Sequence, residues 1–389
     1  MTSSDRQMKI HLVAGEESGD ALGGALMRAL RERAPRIRFG GLGGRAMAEQ
    51  GVATPFDIHE LSIIGFDAVL RQLPHILRRI RQTADAVIAA QPDALVIIDS
   101  PDFTHRVARR VRKAAPDIPI INYAPPSVWV WRPWRARAMR RYVDEVLAVL
   151  PFEPDAFARL DGPHCTYVGH PLAERLSDLR PSAREAERRL ASPPVMLVLP
   201  GSRRSEISRL AATFGEAIAQ VAASSGPLEL ILPTLPHVAE QVRGATDDWT
   251  VRPRIVTTES EKHEAFRTAR AALAASGTVT LELALAQVPM VAAYRVAGWE
   301  AALLRWIANV DTVILPNLVL GDGVVPERVQ EACTADAISS ALLPLLSDTP
   351  ERRRQSEAFA RLDAIMGLIG DPPSRRAADA VLRVVNGRN

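Results

Sequence analysis

An aspartate directly follows a run of apolar residues in the first quarter of the chain. Asp99 ends the run at residues 94–98, and Asp102 follows three positions later. In a parallel α/β sheet, a side chain at the carboxyl end of a strand faces the ligand crevice. A carboxylate at Asp99 is therefore a candidate general base. Asp102 is either a second negative charge close to this base or the cap of the helix predicted to start near Phe103.

Two short turns in the second half place small and polar residues at the start of a predicted helix. They are Gly201-Ser202-Arg203 and Ser276-Gly277-Thr278. Backbone N–H groups at a helix start bind anions, and an Arg side chain adds a fork of donors. Glu282, one turn into the second helix, can reach a diol such as a nucleotide ribose. Together the turns predict a nucleotide diphosphate site, although each alone is also explained by helix capping.

The first loop contains two acidic residues, Glu16 and Asp20, among glycines at 15, 19 and 23. That spacing is not the one of a dinucleotide-binding fingerprint, and the acids would repel a pyrophosphate. We therefore exclude a nicotinamide-dependent oxidoreductase site in this half of the chain. Glu16 and Asp20 are predicted to line the floor of a site for a neutral polar acceptor such as a sugar. The alternative is a tight turn in which Ser18 or Asp20 caps a helix.

Tryptophan and arginine alternate in one segment, where Trp129, Trp131 and Trp134 stand beside Arg132 and Arg135. Such a segment can stack nucleic-acid bases or lie at a membrane interface with Arg on lipid phosphates. A core position with a charged rim is the third interpretation.

An apolar stripe at helical spacing precedes that segment, and Pro74 predicts a kink within it. The stripe and the arginines around it are Phe66, Val69, Leu70, Leu73, Ile76, Leu77 and Ile80, with Arg71, Arg78, Arg79 and Arg81. Such a stripe is typical of a protein core. Combined with the Trp-Arg segment, it also predicts a lipid-binding surface.

Short apolar strands alternate with longer amphipathic helices along the chain, which predicts parallel α/β architecture. We expect two doubly wound, Rossmann-like halves facing across a cleft, at residues 1–172 and 173–350. Residues 351–389 have helical spacing, and the sequence leaves open whether they pack on the first half or on a second copy in a homodimer.

The net charge of the chain is small, and nearly all of its basic residues are arginine. The 389 residues carry a formal net charge of +3, and only Lys9, Lys113 and Lys262 of the 48 basic residues are lysine. A net charge this small is weak support for a nucleic-acid partner. Cys165 and Cys333 fit no metal or redox spacing, which favours reduced thiols in the cytoplasm.

Eight short motifs follow one another along nearly the whole chain. They are Gly15-Glu16 with Ser18-Gly19-Asp20, Ile98-Asp99 with Pro101-Asp102-Phe103, Ser127-Val128-Trp129 with Trp131-Arg132, Leu150-Pro151-Phe152-Glu153, Gly169-His170-Pro171, Pro200-Gly201-Ser202-Arg203, Ser276-Gly277-Thr278 with Leu281-Glu282, and Pro316-Asn317-Leu318. In this order and spacing the chain resembles the lipid-A-disaccharide synthase family. Asn122 stands where that family usually has His, and Arg45-Ala46 replaces its usual Pro-Arg, which bears on acceptor contacts.

The resemblance implies an inverting GT-B glycosyltransferase of lipid A biosynthesis. Such an enzyme moves 2,3-diacylglucosamine from its UDP donor onto the 6-hydroxyl of 2,3-diacylglucosamine 1-phosphate. The products are a β-1,6-linked disaccharide 1-phosphate and UDP. The resemblance also implies a cytoplasmic enzyme on the surface of the inner membrane, with no cofactor, no metal and no nucleic-acid partner.

The same resemblance implies roles for individual residues. Asp99 would be the base and Arg203 would stabilise the leaving diphosphate, while Asn317 is a further polar group of the active site without an assigned role. Residues expected on the acceptor side are Glu16, Asp20, Trp129 and Arg132. Two other classes remain open: a UDP-sugar epimerase, which needs no second substrate, and a nucleic-acid binder that uses the Trp-Arg segment.

Overall fold

The structure is a computed structural model that describes residues 7–61, 66–130, 132–296 and 312–387, with residues 66–72 described by their backbone alone. Its contacts divide the chain into two units. The first contains Met1–Ala173 together with Gly370–Asn389, and the second contains Glu174–Ile369.

The first unit contains a six-stranded sheet in which every neighbouring pair is parallel. Its strands are Lys9–Ala14 (β1), Arg38–Leu42 (β2), Ala94–Ile98 (β3), Ile120–Tyr123 (β4), Glu145–Ala148 (β5) and His164–Tyr167 (β6). The spatial order is β2-β1-β3-β4-β5-β6. Ile98 pairs in register with both Ala14 and Tyr123, so the loops after β1, β3 and β4 leave the sheet at one edge.

Strand β3 is buried on both faces, because its alternate side chains enter two different cores. Leu95 and Ile97 belong to one core, whereas Val96 and Ile98 belong to the other. The described helices that follow these strands are Glu17–Arg33 (α1), Arg45–Ala48 (α2), Phe66–Ala90 (α3), Pro101–Ala114 (α4), Trp134–Met139 (α5) and Glu153–Arg159 (α6).

The second unit repeats the plan with six more parallel strands. They are Val195–Leu199 (β7), Glu229–Pro233 (β8), Arg254–Val256 (β9), Ala271–Ala275 (β10), Met290–Tyr294 (β11) and Glu327–Val329 (β12), in the spatial order β12-β11-β10-β7-β8-β9. The described helices are Leu176–Leu179 (α7), Ala183–Leu190 (α8), Arg204–Ser225 (α9), Ala239–Thr246 (α10), Glu259–Thr268 (α11), Thr278–Leu285 (α12), Leu315–Leu320 (α13), Ala335–Leu342 (α14) and Pro350–Ile365 (α15). The sequence prediction of two parallel α/β halves is confirmed.

The two C-terminal helices belong to different units, although the sequence analysis grouped residues 351–389 together. Helix α15 stays in the second unit, where the Gln355 side chain hydrogen-bonds the backbone N–H and C=O of Met290 at 2.8 and 3.0 Å. The last helix, Pro373–Asn386 (α16), packs on α1. Its buried Ala378 and Val381 share a core with Leu30, so α16 completes the first unit.

Within the part of the chain that the structure describes, no helix is both long enough and apolar enough to cross a membrane.

Candidate functional site

Asp99 is held at the tip of β3 by an unusual backbone conformation. Asp99 and the next residue, Ser100, both have positive φ, at 51° and 42°. Such residues cost about 1–3 kcal/mol each and cluster at functional sites. The backbone N–H of Ser100 donates to Oδ1 of Asp99 at 2.8 Å, and the hydroxyl of Ser18 donates to Oδ2 at 2.7 Å. Each carboxylate oxygen therefore has one fixed partner and a remaining lone pair.

The loop after β1 lies directly against this aspartate turn. A Cβ added to Gly15 would meet Oγ of Ser100 at 2.7 Å, and one added to Gly19 would meet the carbonyl oxygen of Ile98 at 3.2 Å. Glycine at these two positions lets the loop approach β3 closely. This approach brings Ser18 within hydrogen-bond distance of Asp99.

The other acidic candidates lie in different surroundings. The carboxylate of Asp20 is buried and accepts hydrogen bonds from the backbone N–H groups of Gly44, Ala46 and Met47 at 2.7, 2.8 and 3.0 Å. Asp20 therefore caps the start of α2, and its place on the acceptor side stays a prediction. Glu16 is exposed at the position before α1.

Asp102, three positions after Asp99, lies at the protein surface. Its side chain is 84% exposed and pairs with Arg135 at 3.2 Å, on the first turn of α4.

Trp129 is tied to a buried glutamate. Its indole N–H donates to Oε1 of Glu153 at 3.3 Å, and its ring meets Phe152 edge to face, with centroids 4.9 Å apart. The other oxygen of Glu153 accepts the backbone N–H groups of Val149 and Leu150. Burial raises the pKa of Glu153 to about 7, and these hydrogen bonds oppose the shift. Glu153 was not among the site residues predicted from the sequence.

Arg132 follows with positive φ (56°) and is partly buried. Trp131 lies outside the described residues, so the Trp-Arg segment is described only in part.

In the second unit, a cavity of about 320 Å³ lies at the carboxyl ends of β7, β8 and β10. Every predicted donor-binding residue lines it: Gly201, Ser202, Arg203, Ser276, Gly277, Thr278 and Glu282. Residues from the loops after β8 and β9 complete the wall, among them Thr234 and Thr258. The position agrees with the rule that ligands of doubly wound sheets bind beyond the strand ends.

A glutamate occupies the first of the two predicted anion-binding turns. Oε2 of Glu206 accepts the backbone N–H groups of Ser202 and Arg203 at 3.0 and 3.2 Å. Gly201 has φ +115°, and a Cβ there would meet Oε2 of Glu206 at 2.4 Å. These two N–H groups therefore already have an acceptor in Glu206, and anion binding at this turn stays a prediction. The Arg203 side chain remains three-quarters exposed on the cavity wall.

The second turn is open. No side chain of the described ranges caps α12, which starts at Thr278 after Gly277. Its first N–H groups therefore lie at the cavity wall with the partial positive charge of a helix start. The hydroxyl of Ser276 donates to the carbonyl oxygen of Val313 at 3.5 Å, which ties this turn to the segment before α13.

Glu282 has a cationic partner that the sequence analysis missed. Nζ of Lys262, on α11, lies 2.7 Å from Oε2 of Glu282, and both side chains are largely buried on the cavity wall. The ion pair fixes one oxygen of the carboxylate. The rarity of lysine in this chain was the one signal that singled out Lys262.

Asn317 is not among the residues that line the cavity. Its buried amide donates to the carbonyl oxygen of Val325 and to Oε1 of Glu327, both at 3.0 Å, and accepts the N–H of Val325 at 2.8 Å. Asn317 therefore braces the loop before β12, and its place among the catalytic groups stays a prediction.

Solved structures with the same fold span almost the whole chain. A UDP-GlcNAc 2-epimerase from Neisseria meningitidis, bound to UDP-GlcNAc, aligns with a TM-score of 0.64 at 13% identity, over 98% of this chain and all of its own. An S. aureus MnaA–UDP co-structure gives 0.66 at 14%, over 97% of each chain. The calicheamicin glycosyltransferase CalG4 gives 0.57 at 18%, over 98% of this chain and 99% of its own.

The paired sheets and these likenesses define a protein of the GT-B glycosyltransferase fold. A model of the family described as lipid-A-disaccharide synthetase matches residues 10–369. The lipid-A-disaccharide synthase of Rhodopseudomonas palustris is 59% identical over 97% of this chain and 96% of its own. That of Rhodospirillum centenum is 43% identical over 98% and 96%. The chain belongs to the lipid-A-disaccharide synthase family.

Proposed function

We propose that this chain joins 2,3-diacylglucosamine from a UDP donor to the 6-hydroxyl of 2,3-diacylglucosamine 1-phosphate, with inversion at the anomeric carbon. Membership of the family supports the reaction. The observation that carries the catalytic assignment is Asp99, a strand-tip carboxylate held by Ser18 and by the Ser100 N–H.

On the acceptor side, Asp99 takes the proton of the sugar 6-hydroxyl as that oxygen attacks the anomeric carbon. Inversion needs one displacement and one base, with an oxocarbenium-like transition state. The two fixed hydrogen bonds hold the carboxylate in one orientation, so that a free lone pair can meet the hydroxyl. General-base catalysis of this kind contributes about 10²- to 10⁴-fold.

On the donor side, the leaving UDP gains charge on its β-phosphate. The uncapped start of α12 and the exposed guanidinium of Arg203 are donors placed for that charge. Losing one oriented donor of this type costs about 2.7–4 kcal/mol of transition-state stabilisation in comparable oxyanion sites. The oxygen of Glu282 that Lys262 leaves open accepts the ribose hydroxyls.

The acylated substrates require contact with a lipid surface, and part of α3 has the character of such a contact. Leu73 and Leu77, one helical turn apart, are 37% and 48% exposed, and Arg78 and Arg81 beside them are exposed as well. Apolar side chains with flanking arginines suit a membrane with anionic lipids. Arg79 is different, because it pairs with Glu60 at 2.6 Å and lies over the ring of Phe56.

A product assay tests the proposal. Purified protein is incubated with radiolabelled UDP-2,3-diacylglucosamine, with and without 2,3-diacylglucosamine 1-phosphate, in detergent micelles. The proposal predicts a labelled disaccharide 1-phosphate that forms only when the acceptor is present. Turnover of the UDP-sugar alone to an epimer would contradict it and favour the epimerase alternative.

A further inference from the structure

The first unit contains a small cavity whose lining residues have no role in the function proposed above. Its volume is about 100 Å³, several times what one water molecule needs. The cavity is lined by the N-terminal part of α4, by the loop after β4, and by α5 with the turn after it. The polar side chains in its wall are Asp102, His105, Arg106, Arg109, Arg135 and Tyr142. The cavity thus begins two residues after Asp99.

The charge in this cavity is strongly positive. Three guanidinium groups, from Arg106, Arg109 and Arg135, face one carboxylate, Asp102. The pair between Arg135 and Asp102 is largely exposed on the acid side, and exposed pairs contribute only about 0–1 kcal/mol. A dianion can therefore displace Asp102 from Arg135 at little cost.

Arg106 and Arg109, the two cavity arginines on α4, differ in their contacts with the rest of the protein. Arg106 is exposed and makes no hydrogen bond or ion pair to the described residues. Nη2 of Arg109 donates to the hydroxyl of Tyr142 at 3.2 Å, and its guanidinium lies 4.8 Å from the centre of that ring. Arg109 is thereby fixed in direction, while its remaining N–H groups stay available.

A buried histidine completes the wall without adding charge. His105 is 6% exposed, and its Nδ1 lies 3.0 Å from the Tyr142 hydroxyl. Burial lowers the pKa of His105 to about 4, and Arg109 and Arg135 add to this shift. The ring is neutral near pH 7, so the positive charge belongs to arginine, whose planar forks match phosphate oxygens.

We propose that this cavity is a phosphomonoester site, and that its ligand is the anomeric phosphate of the acceptor sugar. The assignment to the acceptor rests on the proposed function. In that acceptor the attacking hydroxyl and the phosphate are separated by one sugar ring. Asp99 and the first cavity residues are separated by less than one turn of α4, which rises about 5.4 Å per turn. Arg106 lies about one further turn along α4 from Asp102, so a hydroxyl at Asp99 directs the phosphate toward the Asp102 and Arg106 end of the cavity.

The first test compares acceptors that differ only in the phosphate. kcat and KM are measured with 2,3-diacylglucosamine 1-phosphate and with its dephosphorylated form, for wild type, Arg106→Gln and Arg106→Gln/Arg109→Gln. The matched control is Arg110→Gln, on the same helix but paired with Asp85. We expect the acceptor KM to rise about tenfold per charged hydrogen bond lost, at unchanged donor KM. The rise should occur for the phosphorylated acceptor only.

A structural role would weaken both acceptors equally, and this result would overturn the proposal. Arg106→Gln keeps the test valid if the double variant does not fold, because Arg106 has no partner in the described structure.

The second test needs no activity. Glucosamine 1-phosphate, with glucosamine as the control ligand, is titrated into the same proteins and binding is followed by the melting temperature. The proposal predicts that glucosamine 1-phosphate raises the melting temperature of wild type and of Arg110→Gln, but not that of Arg106→Gln. This result would support the phosphate site even if the chain had no synthase activity. Equal stabilisation of wild type and Arg106→Gln overturns it. If the variants lose binding to phosphatidic acid vesicles but keep their acceptor KM, the phosphate comes from lipid and the acceptor assignment is wrong.

Discussion

The hydroxyl of Ser18 donates to Oδ2 of Asp99 across 2.7 Å, although the two residues are 81 positions apart in the chain. The contact exists because β1 and β3 are neighbours in the sheet and the loop after β1 lies against the turn after β3. It gives the carboxylate one orientation, and it ties the first loop to the proposed chemistry through Ser18 rather than through Glu16 or Asp20.

Ser18→Ala should lower kcat with little change in the donor KM. A hydrogen bond to a charged group is worth about 1.5–3 kcal/mol, which corresponds to a loss of about 10-fold or more. Steady-state kinetics measure the effect, and Ser224→Ala, which removes an exposed hydroxyl bonded to the Gln220 carbonyl within α9, is the matched control. A kcat within twofold of wild type would show that Ser18 does not orient the base.

Glu282→Gln should raise the donor KM, and Lys262→Met should raise it less, because Lys262 acts through Glu282. Contacting residues couple by about 0.5–3 kcal/mol, so the double variant should lose less than the two single losses combined. A double-mutant cycle on the donor KM measures this coupling, with Lys113→Met as the control. If the free-energy effects of the two single substitutions simply add, Lys262 does not act through the Glu282 carboxylate.

Asp20→Asn should destabilise the protein while leaving the kcat of the folded enzyme unchanged. In the wild type, both oxygens of Asp20 accept backbone N–H groups at the start of α2. In the variant an NH₂ group replaces one oxygen and faces an N–H donor, which costs about 1–3 kcal/mol. Thermal unfolding and kinetics on the same samples separate the two effects, and Asp248→Asn serves as an exposed control. A raised acceptor KM at an unchanged melting temperature would place Asp20 in the acceptor site.

Glu153 should make stability depend on pH. Its pKa is about 7 in the folded chain and near 4.5 in the unfolded chain, so between these values the folded state binds more protons. The free energy of unfolding therefore falls as pH rises from about 4.5 to 7, by roughly 3 kcal/mol for a shift of this size.

The comparison with Glu153→Gln isolates this contribution. The melting temperature of the variant minus that of wild type should increase between pH 5 and pH 8, while Glu264→Gln, at an exposed position, should show no such trend. A difference that is constant with pH would mean that Glu153 is ionised throughout.

The sequence predicted the strands that are buried on both faces and two of the four edge strands, β2 and β9, but it missed the other two, β6 and β12. β3 and β7 are continuous apolar runs, because side chains on both faces enter a core. β6 and β12 are outermost in their sheets, contain polar residues and are only partly buried, so no apolar pattern marks them.

In the candidate site, the sequence predicted residue types better than their partners. The turn at Gly201 was predicted to bind an anion, and in the structure Glu206 from the first turn of α9 accepts the N–H groups of Ser202 and Arg203. An acidic residue at the third position of a helix is a known capping signal, and it was present in the sequence. The pair between Lys262 and Glu282 joins two helices, and no local pattern reports such a contact.

Turnover of Asp99→Asn in the disaccharide assay tests the central claim most directly. The isosteric amide keeps an oxygen for the Ser100 N–H but cannot accept the acceptor's proton, so kcat should fall by about 10²-fold or more. Circular dichroism and the melting temperature establish that the variant is folded. Near wild-type turnover by a folded Asp99→Asn enzyme would contradict the assignment of Asp99 as the base.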